Sequence, residues 1–390
     1  MSDTNDLDSL RPWATPRQIE YIDGLIATGS HRALAKMLGV SRGSISGSLK
    51  SLRKRAAAQG FSPEHNFTQP VPDGFKLKRH SQYYDAEGKP RGKWVIATAD
   101  EQRQKELFDG VVAAMCDDIP RMSPVVAPQQ GNDKLCNLFT ITDYHVGMLA
   151  WGEETGADWD LEIAEATLVA AFSHLIANSP KAKVAVINQL GDFLHFDSFE
   201  AVTPMHKHLL DADSRFPKVV AVAIRLLRRV IDMALASHAE VKLLICQGNH
   251  DLSSSVWLQA MFTALYENDP RISVDQTVLP YYVHQHGKVM LGFHHGHMKK
   301  NEGLPLHFAA SYPVIWGTTA KRYVHVGHRH HVEEKEHAGV KVVQHSTLAA
   351  KDAYAARGGW SSERQMLSIT YHSEFGEVAR ATVTPEMLCV

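Results

Sequence analysis

Five short clusters of side chains that bind metals or move protons stand in order along this chain. They are Asp143-Tyr144-His145, Gly191-Asp192 followed by His195, Gly248-Asn249-His250-Asp251, His295-Gly296-His297, and Gly327-His328-Arg329-His330. Carboxylate, imidazole and amide donors with no thiolate among them suit manganese, iron or zinc better than calcium. Residues two apart on an extended backbone point to one side, so Asp143 and His145 could share an ion, and His328 and His330 could face one site. Glycines before Asp192, Asn249 and His328 would let the backbone turn sharply and come close to an ion. Each cluster taken singly is ordinary, because a lone buried histidine is more often a hydrogen-bonded core residue than a ligand. Their occurrence as an ordered set is what points to a metal centre.

Each cluster follows an apolar, β-branched run: LFTIT, KVAVINQL, VKLLICQ, KVMLGFH and RYVHV. The spacing therefore predicts that all five lie at the C-terminal ends of strands, where open α/β sheets place their ligands. Amphipathic helices alternate with these strands to about Arg357, and β-like sequence such as MLSITYH follows, so residues 135–390 read as one α/β domain. PKVVAVAIRLLRRVIDMALA carries its charges on one face and reads as a core-packing helix. Asp251, directly before LSSSVW, is expected to cap a helix. TPMHKHLLDADSRF reads as a loop entering a helix, with His206, His208, Asp211 and Asp213 either lining a cleft or capping at the surface. In FHHGHMKK, His294 and His297 compete with His295, and Lys299, Lys300, Arg329 and His331 are either phosphate contacts or a solvated rim.

The first 60 residues are different in kind. Thr15 with Pro16 opens a first helix, a second runs from about Arg32 to Leu38 and stops at Gly39, and Ser41 caps a third, SRGSISGSLKSLRKR. Small Ala35, the turn at Gly39 and apolar Ile45 stand where a helix-turn-helix needs close contact, a sharp turn and a core anchor, and on those residues the segment resembles a helix-turn-helix DNA-binding domain. That resemblance puts the third helix in a major groove, with Arg42, Ser44, Ser46 and Lys50 toward bases or phosphates and Arg53, Lys54 and Arg55 along the backbone. A small helical bundle with a solvated basic face carries the same pattern. Residues 61–118 read as a β-hairpin, FKLKRHSQYY and KWVIAT around a turn at 85–88, and then a helix over 101–117; residues 119–134 read as a linker.

Composition bounds the remaining possibilities. The 390 residues are 44% hydrophobic and 22% charged, which suits two or three folded domains. Before Ala99 there are 15 Lys/Arg against 9 Asp/Glu, a balance of +6 that leaves −8 for the rest of a chain whose total is −2. Two parts so different in charge are expected to meet different partners. Four scattered cysteines (Cys116, Cys136, Cys246, Cys389) argue against a disulfide framework and fit a reducing compartment. An acidic, polar start and the lack of any long apolar run give the expectation of a cytoplasmic protein with no membrane contact. The 23 histidines, many of them between His284 and His345, ask for an explanation in metal or proton chemistry.

Taken together, the five clusters resemble the calcineurin-like metallophosphoesterase superfamily over roughly residues 135–352. The resemblance implies an α/β fold of two packed sheets flanked by helices, here preceded by a small helical domain and a hairpin segment. It also implies two divalent ions, with manganese first and iron or zinc as alternatives. Asp143, His145 and His330 would hold one ion, Asn249, His295 and His328 the other, and Asp192 would bridge them. His250 would protonate the leaving oxygen, and His195 would orient His250 or the phosphate. Protein phosphatases of the superfamily carry Asp-Arg-Gly where this chain has His195-Phe196-Asp197, whereas nucleases of the double-strand-break-repair type carry a histidine there. Phage and prophage phosphoesterases show a similar fusion. The expected function is therefore metal-dependent phosphodiester hydrolysis, foremost as a nuclease brought to DNA by the N-terminal domain and possible as a homodimer. The alternatives are a phosphatase or phosphodiesterase of a small nucleotide or a protein, and a non-catalytic DNA-binding regulator.

Overall fold

The computed structural model describes residues 7–59, 61–62, 75–84, 90–100, 102–103, 105–106, 109–110, 128, 131–204 and 207–388. The chain divides into two compact units, Met1–Asp109 and Gly110–Val390. Cys116, Cys389, His206 and the turn at 85–88 lie outside the described residues, as do most of the linker and most of the helix expected over 101–117.

Three helices build the core of the first unit. Helix α1 (Pro16–Thr28) starts with a reciprocal cap between Thr15 and Gln18 and ends at Gly29, whose φ of 62° continues no helix. Helix α2 (His31–Leu38) is capped by Ser30 and so begins one residue before the expected Arg32, and Gly39 turns the chain at φ 64°. Helix α3 (Arg42–Ala58) is capped by Ser41, whose hydroxyl accepts from the Ser44 amide at 3.0 Å. Ile45, Leu49, Leu52 and Ala56 recur at steps of three and four, so they share one face and bury against Ile22, Leu25 and Leu34. Strands β1 (Phe75–Tyr84) and β2 (Pro90–Ala99) pair antiparallel, with Phe75 opposite Ala99.

The second unit stacks two mixed sheets. The first sheet has the order β13 (Gly376–Val383), β12 (Met366–His372), β3 (Asn132–Ile141), β4 (Ala182–Gln189), β5 (Glu240–Ile245), β6 (Ile272–Val274). Strands β3 to β6 are parallel, and β12 and β13 extend the edge antiparallel. Strand β3 already begins at Asn132, three residues ahead of the expected domain start. The second sheet has the order β10 (Glu333–His337), β11 (Val340–Gln344), β9 (Lys321–Val326), β8 (Val289–Phe293), β7 (Tyr282–His286), with β11, β9 and β8 parallel.

Strand alternation sends side chains to both faces. Leu138, Val186 and Leu244 of the first sheet meet Leu291, Phe293 and Tyr323 of the second in an apolar layer between the sheets. Their neighbours Phe139, Ile187 and Leu243 point outward, into a core shared with the helices that follow the single-turn α4 (Gly152–Thr155), namely α5 (Leu161–Asn178), α6 (Phe216–Ser237) and α7 (Leu252–Leu265). On the far side, Met290, Val324 and Val342 pack against α8 (Leu304–Ser311) and α9 (Pro313–Thr318). The result is an α/β sandwich of two sheets flanked by helices. Among the described residues, no helix is long and apolar enough to cross a membrane.

Candidate metal centre

Because β3, β4 and β5 are parallel neighbours, and β8 and β9 likewise, the C-terminal ends of each set lie side by side. The chain leaves β3 through Asp143 and His145, β4 through Asp192, β5 through Asn249 and His250, β8 through His295, and β9 through His328 and His330. Donor atoms of Asp143, Asp192, His295 and His328 lie within 4.8 Å of one another, and so do those of Asp143, His145 and His330. A third such group is His145, His195 and His250. Asn249 joins through its Oδ1, 3.2 Å from His295 Nε2.

The backbone brings these side chains together by a different route from the one the spacing suggested. Asp143, His145 and Asp192 have φ 50°, His328 has 69° and His330 has 54°; the sixth non-glycine residue with positive φ among those described is Lys207. The candidate ligand pairs thus converge through left-handed turns and not through extended alternation. Such a conformation costs an L-residue about 1–2 kcal/mol and persists only when neighbours hold it. The holders are identifiable. The Thr347 hydroxyl donates to the Asp143 carbonyl at 2.7 Å and the Ser362 hydroxyl to the His330 carbonyl, while the Ser346 hydroxyl is shared between the Glu363 carbonyl at 2.6 Å and the His330 carbonyl at 3.1 Å. Gln344 Nε2 donates to the His331 carbonyl at 3.0 Å. Gln344, Ser346 and Thr347 follow the strand sequence VKVV, in a sixth polar cluster at a strand end, the signal by which a sequence reading could have found them.

Asp251 is a correction. It occupies the position before α7, but its side chain caps nothing there. It is 1% exposed, and its carboxyl oxygens accept from the amides of Gly248 (3.1 Å), Asp192 (3.2 Å), Phe193 (2.7 Å) and Leu194 (3.3 Å). The capping falls to Asp197, which accepts from the amides of Ser253 and Ser254 at 2.5 and 2.8 Å and from the Ser254 hydroxyl. Asp251 instead ties the β4 exit to the β5 exit. Gly248 permits this approach, since any Cβ there would run into the Asp192 carboxylate.

Electrostatics at the centre call for a cation. His295 donates Nδ1–H to the Leu190 carbonyl at 2.9 Å, which turns Nε2 toward Asp192 Oδ2 at 3.0 Å, Asp143 Oδ1 at 3.8 Å and Asn249 Oδ1. Burial opposes charge on His295, yet Asp192 and Asp143 outweigh it and push its pKa up to about 10. Burial likewise works against the Asp143 carboxylate, but His330 and His295 hold its pKa well below the usual range. Asp143 Oδ1 is fully buried and faces His330 Nε2 at 3.1 Å and His295 Nε2 at 3.8 Å. The carboxylates of Asp143 and Asp192 repel each other and draw positive charge onto His295 and His330, so this buried set of oxygen and imidazole donors fits divalent metal ions of the manganese, iron or zinc kind.

The histidine pair at the rim is arranged differently. His250 donates its backbone N–H to Asp192 Oδ1 at 2.8 Å and its Nδ1–H to the His195 carbonyl at 2.8 Å. His195 therefore orients His250 through its backbone. Its own ring faces His145, Nδ1 to Nδ1 at 3.3 Å, and its Nε2 is buried without a hydrogen-bond partner among the described residues. Burial, reinforced by His250, pushes the His195 pKa down to about 3, so this ring stays neutral.

Other expected residues fall elsewhere. His294 turns away to the Pro280 carbonyl, 2.9 Å from its Nδ1, and stacks on Tyr281. His297 stands 5.3 Å from His295, ring centre to ring centre. Asp213 accepts from the Leu161 amide at the start of α5, the capping alternative, and His208 lies on the exposed loop. Arg42, Ser44, Ser46, Lys50, Arg53 and Lys54 belong to the first unit and are exposed around the part of α3 left free by its buried stripe; Ser44 also serves the cap with Ser41, and Arg55 is bound to Gln18 at 2.8 Å.

No family model and no curated protein sequence matches this chain. Among solved structures it is similar to a dimetal phosphatase from Danio rerio, at 9% identity and TM-score 0.36 over 65% of this chain and 99% of that one. It is also similar to an archaeal phosphodiesterase, at 12% identity and TM-score 0.33 over 63% and 99% of the two chains. A third similarity is to an uncharacterized protein from Streptococcus pneumoniae TIGR4 described as a predicted phosphoesterase, at 9% identity and TM-score 0.30 over 65% and 91%.

Proposed function

We propose that this protein is a metal-dependent phosphodiesterase that cuts DNA. The observation that carries the hydrolytic reading is the convergence of Asp143, His145, Asp192, His295, His328 and His330 at the strand ends, with His250 held beside them. Asp143, His145 and His330 would hold one divalent ion and Asn249, His295 and His328 the other, with Asp192 shared. Such ions supply the positive charge that acidifies a water and offsets the charge of phosphoryl oxygens.

The chain's own residues account for the rest. The His195 carbonyl accepts the Nδ1–H of His250 in both the neutral and the protonated ring, so the labile proton is carried on Nε2. When water adds to phosphorus and the P–O bond to the leaving group breaks, that proton passes to the leaving oxygen. General-acid help of this kind contributes about 10²–10⁴-fold. His195, neutral and buried, fixes the ring of His145 and, through its carbonyl, that of His250. DNA as substrate is supported by the basic balance of the first unit and by the exposed Arg42, Lys50, Arg53 and Lys54 on α3.

The test is cleavage of end-labelled single- and double-stranded DNA with Mn²⁺, with bis-p-nitrophenyl phosphate in parallel, for wild type, Asp192→Asn and His250→Ala. Loss of DNA cleavage in both variants is the expected result. Turnover of the small diester with DNA left intact would move the substrate to small molecules. Binding of DNA with no hydrolysis of either would refute the enzyme.

A further inference from the structure

Beside the metal centre the second sheet carries a polar trough. A cavity of about 80 Å³ is lined by Lys300, Arg329, Glu302, Glu333, Lys335 and His337, with Val342 at its floor. Glu333, Lys335 and His337 are alternate residues of β10 and so share one face of it. Val342 belongs to the apolar cluster of Leu304 and Phe308, which puts the trough on the α8 side of the sheet. Glu333 pairs with Gln344 at the end of β11 that leads to the clamp on His330, and His337 pairs with Val340 at the other end. The trough thus leads away from the metal centre for about 13 Å, four strand residues at about 3.3 Å each. Arg329 stands at its near end, between the candidate ligands His328 and His330.

The charges on the two faces of this hairpin are treated in opposite ways. On the other face Glu334 is paired with Lys341 and Arg380, and Arg380 also with Glu377. On the trough face, Lys300, Arg329 and Lys335 have no ion-pair partner among the described residues. At the far end His337 Nε2 is buried with no hydrogen-bond partner among them. Three cations against two carboxylates leave one net positive charge, which matches the single negative charge of a phosphodiester.

We propose that this trough is a phosphate subsite, in which Lys300, Arg329 and Lys335 hold a backbone phosphodiester of the substrate strand next to the one at the metal centre. The inference rests on the phosphodiesterase reading and deepens it: the substrate is a polymer with flanking phosphates, not an isolated diester. Phosphates held this way position the strand without reading its bases.

The test compares the full-length wild type with the double variant Lys300→Glu, Lys335→Glu and with Lys181→Glu, an exposed charge reversal elsewhere in the unit. With Mn²⁺, the double variant should lose about tenfold more kcat/KM on a short oligothymidylate than on bis-p-nitrophenyl phosphate, through KM, and Lys181→Glu should not. Equal losses on both substrates, or equal losses in both variants, would overturn the subsite. Oligothymidylate binding in EDTA, read by fluorescence anisotropy, gives a second readout: the salt slope of the double variant should fall by about 2, and an unchanged slope would overturn the proposal. If wild type cuts neither substrate, the phosphodiesterase reading fails, and the anisotropy result alone decides for or against the subsite.

Discussion

Removing the Asp251 side chain separates two roles by magnitude. A helix cap replaced by alanine costs typically about 1 kcal/mol. Asp251 instead accepts from four backbone amides at 2.7–3.3 Å while 1% exposed. Burial and the neighbouring Asp192 carboxylate push its pKa up to about 7, and the four bonds are counted at the lower value that applies to neutral partners. Each buried amide left without an acceptor costs about 1–3 kcal/mol, and since the four are adjacent and relax together, a total of about 3–5 kcal/mol is expected for Asp251→Ala. That is a large share of the roughly 5–15 kcal/mol that holds a domain folded. Asp197→Ala, which removes the true cap of α7, should cost about 1 kcal/mol. Urea denaturation of both variants, followed by circular dichroism, measures the two numbers. A loss for Asp251→Ala no greater than that for Asp197→Ala would refute the clamp and restore the cap.

Three more outcomes follow from the same geometry. Thr347→Val keeps the shape of the side chain but strips the Asp143 carbonyl of its donor; Mn²⁺ affinity measured by titration calorimetry should weaken about 10–100-fold, and unchanged affinity would show that the left-handed turn at Asp143 holds without it. His238 is 3% exposed, within 3.1 Å of both the Ala234 carbonyl and Asn137 Nδ2, and burial pushes its pKa down to about 4. Its neutral form is favoured by folding, so its stabilisation is complete above the unfolded value near 6.5 and is lost as pH falls toward 4, by about 3 kcal/mol; urea midpoints against pH should be flatter over that window for His238→Gln, and parallel curves would contradict this. Lys50→Glu with Arg53→Glu should lower DNA affinity and reduce the salt slope by about 2 while leaving turnover of bis-p-nitrophenyl phosphate within about twofold, and unaltered DNA binding would take α3 out of the proposed interface.

What the sequence determined by itself was local. Runs such as VKLLI and RYVHV alternate or stay apolar over the length of a strand, and Thr15, Ser41, Gly29 and Gly39 start and stop helices through bonds to residues a few positions away. Such signals survive in one dimension, so the α/β class, the strand-end placement of the clusters and the helices of the first unit were legible there. Tertiary structure decided whatever depends on partners distant in sequence. Asp251 before LSSSVW looks like a cap, and only the parallel pairing of β4 with β5 carries the amides of residues 192–194 to its carboxyl group. Asp143 and His145 converge through left-handed turns because Thr347, on a strand exit of the other sheet, holds the first of them from the far side. Which of His295 and His294 faces the cluster was likewise decided by the carbonyl each ring meets, Leu190 or Pro280. Even the trough depends on the hairpin's register, since Glu333 and Glu334 are the same residue type in adjacent positions and only the pleat decides which finds a partner.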